Sequence, residues 1–315
     1  LPLATPHMSD EGFEQDFVGE AFSTNWIAPL GPNVTGLEKE VCAYVGAKSG
    51  TALVSGTAAI HMALKLAGIK QGDLVFCQSL TFAATANPIL YEGAKPVFID
   101  SEKETWNMSP EALERAFEKY PGTKAVIVVH LYGIAAKIDV IKRICEKHGA
   151  VLIEDAAESL GTLYQGKHTG TFGDYGIYSF NGNKIITTSG GGMLLSSLPD
   201  AEAKMQKAVF WATQAKEQAR HYQHKEVGYN YRMSNISAGI GRGQLKVLEH
   251  RIEKKRWIFH TYKEAFSSIE EIEMMPADNG VQRSNCWLST IILSTESRIR
   301  PIDVILELEK ENIEA

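Results

Sequence analysis

The chain has 315 residues, 44% of them hydrophobic and 22% charged, and a formal charge of −6. A chain of this size and apolar content can bury one large core and part of a second, which excludes a disordered or fibrous protein. The negative balance gives no overall attraction to nucleic acid or anionic membrane, and no run approaches the roughly eighteen continuous apolar residues of a membrane span.

Cys42, Cys77, Cys145 and Cys286 are far apart and form no C-x-x-C pair, and three of them sit in apolar stretches. That usage fits free thiols in a reducing cytoplasm. The start, Leu1-Pro2-Leu3-Ala4, has neither the basic region nor the apolar core of a signal segment. No Cys/His cluster has metal-ligand spacing and no G-x-S-x-G elbow is present, so metallohydrolase and serine-esterase readings lack support and no metal is expected.

Short β-branched runs alternate with helix-like segments. The predicted strands are Thr51 to Val54, Leu74 to Cys77, Pro96 to Ile99, Ala125 to Val129, Val151 to Ile153, Gly176 to Ser179 and Met193 to Leu195. Such alternation predicts an α/β fold, a mainly parallel sheet with helices on both faces. Thr35-Gly36-Leu37-Glu38 has capping-box spacing, Ser109-Pro110-Glu111 places proline at a first helical residue, and Lys147-His148-Gly149 is a helix stop. After Ser234 the pattern predicts one long helix through about Phe266, on which Glu253-Lys254-Lys255-Arg256 reads as a solvated face. Trp287 to Leu293 reads as a strand and Pro301 to Asn312 as a helix. One strand and one helix bury little, so the expected organisation is a large domain over residues 1–245 and the start of a smaller, truncated C-terminal α/β domain over 246–315.

Lys184 sits in the polar turn Ser179-Phe180-Asn181-Gly182-Asn183-Lys184, shortly before Gly190-Gly191-Gly192, and Glu154-Asp155-Ala156-Ala157-Glu158 lies upstream. A lysine able to bond an aldehyde, together with a strand-end carboxylate able to keep a pyridine nitrogen protonated, is what pyridoxal phosphate requires of a protein. Asp155 follows the apolar run Val151-Leu152-Ile153, which places it at the carboxyl edge of the sheet, where open α/β folds bind ligands. Taken singly, each of these residues has an ordinary alternative, Asp155 as a helix cap and Lys184 as a surface lysine.

Ser55-Gly56-Thr57-Ala58-Ala59 joins a strand to an amphipathic helix, a turn that either grips a phosphate with backbone N–H groups or serves as a threonine-capped connection. Ser179 offers a further hydroxyl to such a phosphate. Phe82, in Ser79-Leu80-Thr81-Phe82, either stacks on the cofactor ring or packs in the core. The triple glycine permits a close backbone approach and positive φ at a site wall, or makes a hairpin-like turn. His130, in His130-Leu131-Tyr132-Gly133, either touches substrate or is a satisfied structural histidine.

These segments, with Gly228-Tyr229-Asn230-Tyr231-Arg232-Met233-Ser234, closely resemble the DegT/StrS family of pyridoxal phosphate-dependent nucleotide-sugar aminotransferases, over nearly the whole chain. Within it the chain is most similar to the UDP-4-amino-4,6-dideoxy-N-acetyl-glucosamine transaminases of the UDP-N-acetylbacillosamine pathway, through Asn25-Trp26-Ile27-Ala28-Pro29-Leu30-Gly31, His130-Leu131-Tyr132-Gly133 and Ile185-Ile186-Thr187-Thr188-Ser189-Gly190-Gly191-Gly192. The resemblance implies fold type I, like aspartate aminotransferase. It implies that Lys184 is catalytic and holds the cofactor, that Asp155 binds the ring nitrogen and that Phe82 stacks on the ring. Gly56, Thr57 and Ser179 then bind the phosphate, Asn230 reaches the phosphate of the neighbouring subunit in a homodimer with shared sites, and Asn25, Trp26, Ile27 and Ala28 touch the sugar nucleotide. L-glutamate is the implied amino donor and a UDP-linked 4-keto sugar the acceptor.

Glu158 departs from many relatives, which carry Gln or His beside the cofactor's phenolic oxygen. A carboxylate facing a phenolate repels it, so either a raised Glu158 pKa or a rotated side chain is expected. Relatives also continue past the equivalent of Ile313-Glu314-Ala315 with basic and aromatic residues that close over the substrate, so an incomplete substrate site is expected. Two other readings stand beside the aminotransferase: a sugar dehydratase using the same cofactor, which carries histidine in place of the lysine, and a regulatory protein that keeps the fold.

Overall fold

The computed structural model describes residues 1–315. Its helices are α1 (Phe13–Ser23), α2 (Pro32–Val45), α3 (Gly56–Leu66), α4 (Asn87–Tyr91), α5 (Pro110–Lys119), α6 (Ile138–His148), α7 (Ala201–Ala212), α8 (Asn235–Lys246), α9 (Leu248–Ala265) and α10 (Pro301–Lys310). Its strands are β1 (Ser49–Leu53), β2 (Leu74–Gln78), β3 (Lys95–Ile99), β4 (Ala125–Val129), β5 (Val151–Asp155), β6 (Leu163–Tyr164), β7 (Lys167–His168), β8 (Tyr175–Ser179), β9 (Gly192–Ser196), β10 (Ile272–Met274), β11 (Gln282–Arg283) and β12 (Ile291–Leu293).

Seven strands form the central sheet in the order β1-β9-β8-β5-β4-β2-β3. The pairs of β2 with β3 and β4, of β4 with β5, and of β5 with β8 are parallel, whereas β9 runs antiparallel to both β8 and β1. All seven predicted strands are present. Pro96 lies in β3, which pairs only with β2, so its missing N–H faces no neighbour, as the edge of a sheet allows.

The pleat sorts side chains by parity. Val75, Cys77, Ala125, Ile127, Ile153 and Ile177 join a cluster under α3 and α7, while Phe76, Val126, Val128 and Leu152 join another with Leu113, Phe117, Ile141 and Cys145 of α5 and α6. Burial on both faces is why these strands read as continuous apolar runs. A third cluster, including Val34, Leu37, Tyr178, Phe180 and Leu248, fills the space beneath α2 and α8.

Three local expectations change. Helix α2 begins at Pro32 after Gly31 (φ 144°), so Thr35 is interior. Glu38, which the capping-box spacing assigned to the helix start, instead accepts from the Ala52 N–H (2.8 Å), the Thr51 hydroxyl (3.1 Å) and the Arg232 guanidinium (2.5 Å). The long helix is two, α8 and α9, broken at Val247 (φ −108°, ψ 8°). Helix α8 packs so closely on α1 that a Cβ on Gly243 would lie 2.5 Å from the Glu14 nitrogen, and the break lets α9 leave that contact. Third, the strand starts at Ile291 rather than Trp287, and it pairs with β10. Ser109 caps α5 by accepting from the Ala112 N–H at 3.1 Å, and Gly149 closes α6 at φ 67°, both as predicted. No helix is long and apolar enough to cross a membrane.

Candidate active site

Every parallel strand beside the cavity delivers its residue from the carboxyl end. A cavity of about 340 Å³ opens there, lined by Val54 to Thr57 after β1, Thr81 and Phe82 after β2, Val129 of β4, Asp155 of β5, Ser179 of β8, and Lys184. Ser55 adopts an extended backbone and caps α3, accepting from the Ala58 N–H at 3.0 Å. The Gly56 and Thr57 N–H groups that follow have no carbonyl one turn earlier in the helix, so they and the helix dipole face the cavity as an anion seat. The cap is Ser55; the threonine cap considered from the sequence is not formed.

Adjacent acids at the end of β5 go to opposite faces. Glu154 turns into the protein, fully buried, where it accepts from the N–H groups of Gly170 (2.8 Å), Phe172 (2.6 Å) and Gly173 (2.6 Å). His130, also fully buried, accepts the Ala136 N–H at Nδ1 (3.1 Å), so its Nε2–H donates to Glu154 at 2.9 Å. His130 is therefore the structural histidine of the two alternatives. Asp155 turns to the cavity, and the Thr85 hydroxyl donates to its Oδ2 at 2.7 Å. That donation uses the one hydroxyl hydrogen of Thr85, so the 2.7 Å contact between Thr81 and Thr85 runs from the Thr81 hydroxyl, giving a one-way chain from the cavity wall to Asp155.

Lys184 Nζ donates to Glu158 Oε1 at 3.2 Å and lies 4.0 Å from the centre of the Trp287 ring, while Glu158 Oε2 accepts the Tyr132 N–H at 2.7 Å. Burial pushes the Glu158 carboxyl above its usual range, against the pull of Lys184 and of the Tyr132 N–H. The expected direction is found, and its cause within the protein is burial. Phe82 is 74% exposed and lines the cavity, so it is not a core residue.

Close approach explains two of the three consecutive glycines, whereas a Cβ on Gly190 would meet nothing nearer than the Val54 carbonyl at 3.9 Å. A Cβ on Gly192 would sit 2.4 Å from the Ser55 carbonyl carbon and 2.5 Å from the Gly56 nitrogen, and one on Gly191 would sit 2.2 Å from the Thr188 hydroxyl. The left-handed residue there is Ser189 (φ 70°), not a glycine.

The DegT/DnrJ/EryC1/StrS aminotransferase family matches residues 9–315. The chain belongs to this family. It is 57% identical to EpsN of Bacillus subtilis (strain 168), provisionally classed as a pyridoxal phosphate-dependent aminotransferase, over 99% of this chain and 80% of that one. It is 35% identical to the GDP-perosamine synthase of Vibrio cholerae, over 100% of this chain and 83% of that one. The fold matches the PLP-form of Spr1654 from Streptococcus pneumoniae with a TM-score of 0.92 at 24% identity, over 100% of this chain and 83% of that one.

Membership makes the protein a pyridoxal phosphate-dependent sugar aminotransferase. The donor set of the cavity fits that cofactor: helix N–H groups with the Thr57 and Ser179 hydroxyls for a phosphate, an acceptor-only carboxylate in Asp155, and a primary amine in Lys184. Gly56 fits too, since a Cβ there would press on Ser179 Cβ at 3.2 Å.

Some residues expected at the site lie outside this cavity. Asn230 accepts from the Gln214 side chain at 3.2 Å and is exposed. Asn25 (φ 61°), Trp26, Ile27 and Ala28 follow α1, with Trp26 and Ile27 exposed. Asn235 pins that segment, donating from its side chain to the Trp26 carbonyl (3.0 Å) and from its backbone to that of Ala28 (2.8 Å). Sequence reasoning missed Trp287, Thr85 and the Tyr132 N–H. Thr85 had a signal in its spacing of four from Thr81, whereas Trp287 arrives from more than a hundred residues downstream and had none.

Proposed function

We propose that this aminotransferase moves the amino group of L-glutamate to C4 of a UDP-linked 4-keto-6-deoxy-N-acetylhexosamine, giving a UDP-4-amino sugar for glycan assembly, as in bacillosamine synthesis. One observation carries the reading: the Lys184 amine and the Asp155 carboxylate line the same cavity as the N-terminal turn of α3. When bound there, pyridoxal phosphate supplies an electron sink for the carbon that loses its proton and carries the amino group between substrates.

The protein's own groups do the rest. Gly56 and Thr57, with Ser179, hold the phosphate, and Phe82 covers the ring. Asp155, aligned by Thr85, keeps the ring nitrogen protonated. The Lys184 amine takes the α-proton of glutamate and returns protons when the keto sugar is aminated. Glu158 accepts from the amine and, anchored by the Tyr132 N–H, holds it beside the ring. Asn230 completes the site of a second copy, which makes the working unit a homodimer, and Asn25 to Ala28 contact the sugar nucleotide. The UDP and N-acetyl preferences rest on sequence resemblance in those segments. A GDP-linked sugar is the second reading, favoured by the name of the Vibrio cholerae relative. Free cysteines fit work in the cytoplasm.

The deciding experiment is glutamate-dependent amination of UDP-, dTDP- and GDP-linked 4-keto sugars by the purified holoenzyme. The UDP sugar is expected to be the best acceptor. Lys184→Ala is expected to lower kcat by at least about a thousandfold. Near-normal turnover by that variant overturns the assignment of the base, and a preference for the GDP sugar overturns the acceptor.

A further inference from the structure

Trp287 reaches the cavity on an elbow whose backbone is strained. Cys286, fully buried and not glycine, adopts φ 50°, a conformation that L side chains hold only when the surroundings over-determine it. Four hydrogen bonds do so. Asn285 donates from its side chain to the Glu158 and Leu160 carbonyls (2.9 Å each), the Asn285 N–H donates to the Thr162 hydroxyl (3.0 Å), and the Trp287 N–H donates to Asn285 Oδ1 (3.0 Å).

The indole that this elbow delivers makes one contact with Lys184 and one with the residue before it. Its ring lies 4.0 Å from Nζ, and its own N–H donates at 2.8 Å to the carbonyl of Asn183, the residue before the lysine. An indole that served only to fill space would need neither contact. Backbone and tip of one flexible lysine are thereby referenced to a single rigid plane, and Glu158 fixes Nζ from a second direction.

We propose that Trp287 is a positioning residue: its ring is the platform on which the Lys184 amine rests whenever it is not bonded, so that the amine stays within reach of the carbon whose proton it moves. This rests on the proposed role of Lys184 as proton carrier. A lysine stem without a platform samples many rotamers, and proton transfer then waits for a rare one.

Two measurements test it, one of them on apoprotein. An ammonium in contact quenches indole emission, so Lys184→Met should brighten emission in the parent chain and leave it unchanged in a Trp287→Phe background, where the other four tryptophans still report. An equal change in both backgrounds removes the contact and the proposal with it. In the holoenzyme, Trp287→Leu should lower kcat about tenfold with the KM for glutamate held within about twofold. It should also enlarge the isotope effect with α-deuterated glutamate. Trp287→Phe, which keeps an aromatic face, should lose less and guards against a folding defect in the leucine variant. A raised KM with kcat intact, or no change in isotope effect, overturns the positioning role. Turnover by Lys184→Ala, in contrast, defeats the proton-carrier assignment and leaves the emission result standing.

Discussion

Glu158 shows how one side chain sets a pH dependence. Its side chain is 11% exposed, between the Lys184 amine and the Tyr132 N–H, and burial holds the carboxyl above its ordinary range. In the unfolded chain it titrates near about 4.3. A carboxyl raised by folding favours the folded state fully below the unfolded value, and that contribution is lost as pH rises through the folded value. Glutamine cannot ionise, so the Tm of apoprotein Glu158→Gln is expected to rise relative to the parent as pH increases through that window. Calorimetry in buffers from about pH 4 to about pH 8 reads the slope; a difference that falls with pH contradicts the upward shift. The same scale explains why Glu154 and Asp155 part company. Successive residues of a strand face opposite sides, so one acid meets three backbone N–H groups inside the protein and the other meets the cavity.

At the scale of elements, the anion seat depends on how closely β9 lies against the start of α3. Gly192 pairs with Leu53 on one side and with Ser179 on the other, which puts it beside two segments that line the cavity. A methyl at that position meets backbone atoms of Ser55 and Gly56 at 2.4 and 2.5 Å, and backbone cannot move aside as a flexible side chain can. Gly192→Ala is therefore expected to destabilise the fold by about 1–3 kcal/mol in urea unfolding and to weaken pyridoxal phosphate binding measured by titration of the apoprotein. An unchanged urea midpoint together with unchanged affinity contradicts the close approach as the reason for glycine. Left-handed conformations at Tyr132, Ser189 and Cys286 occur in the loops around the same cavity, so the site is assembled from connections that the scaffold holds in strained shapes.

At the scale of the whole molecule, Asn230 and the segment from Asn25 to Ala28 do not line the cavity that holds Lys184. If they serve a second copy, subunits carrying Asn230→Ala and subunits carrying Lys184→Ala are each nearly inactive, yet a mixed dimer contains one intact site. Unfolding and refolding the two together should restore about a quarter of parent activity, since half the dimers are mixed and each has one good site of two. No recovery in mixed dimers separated by tag contradicts sharing. The amino-acid sequence by itself determined the seven-stranded sheet, because strands buried on both faces must read as apolar runs, and it singled out Lys184 and Asp155, the proposed cofactor pair that lines one cavity, because they carry local signals in a turn and at a strand end. Only the tertiary structure decided that His130 is structural and that Thr85 aligns Asp155. It likewise split the long helix at Val247 and brought Trp287 beneath Lys184. Each of those outcomes is a contact across distant elements, fixed by how helices and strands pack together, and a one-dimensional pattern records periodicity but not which faces meet.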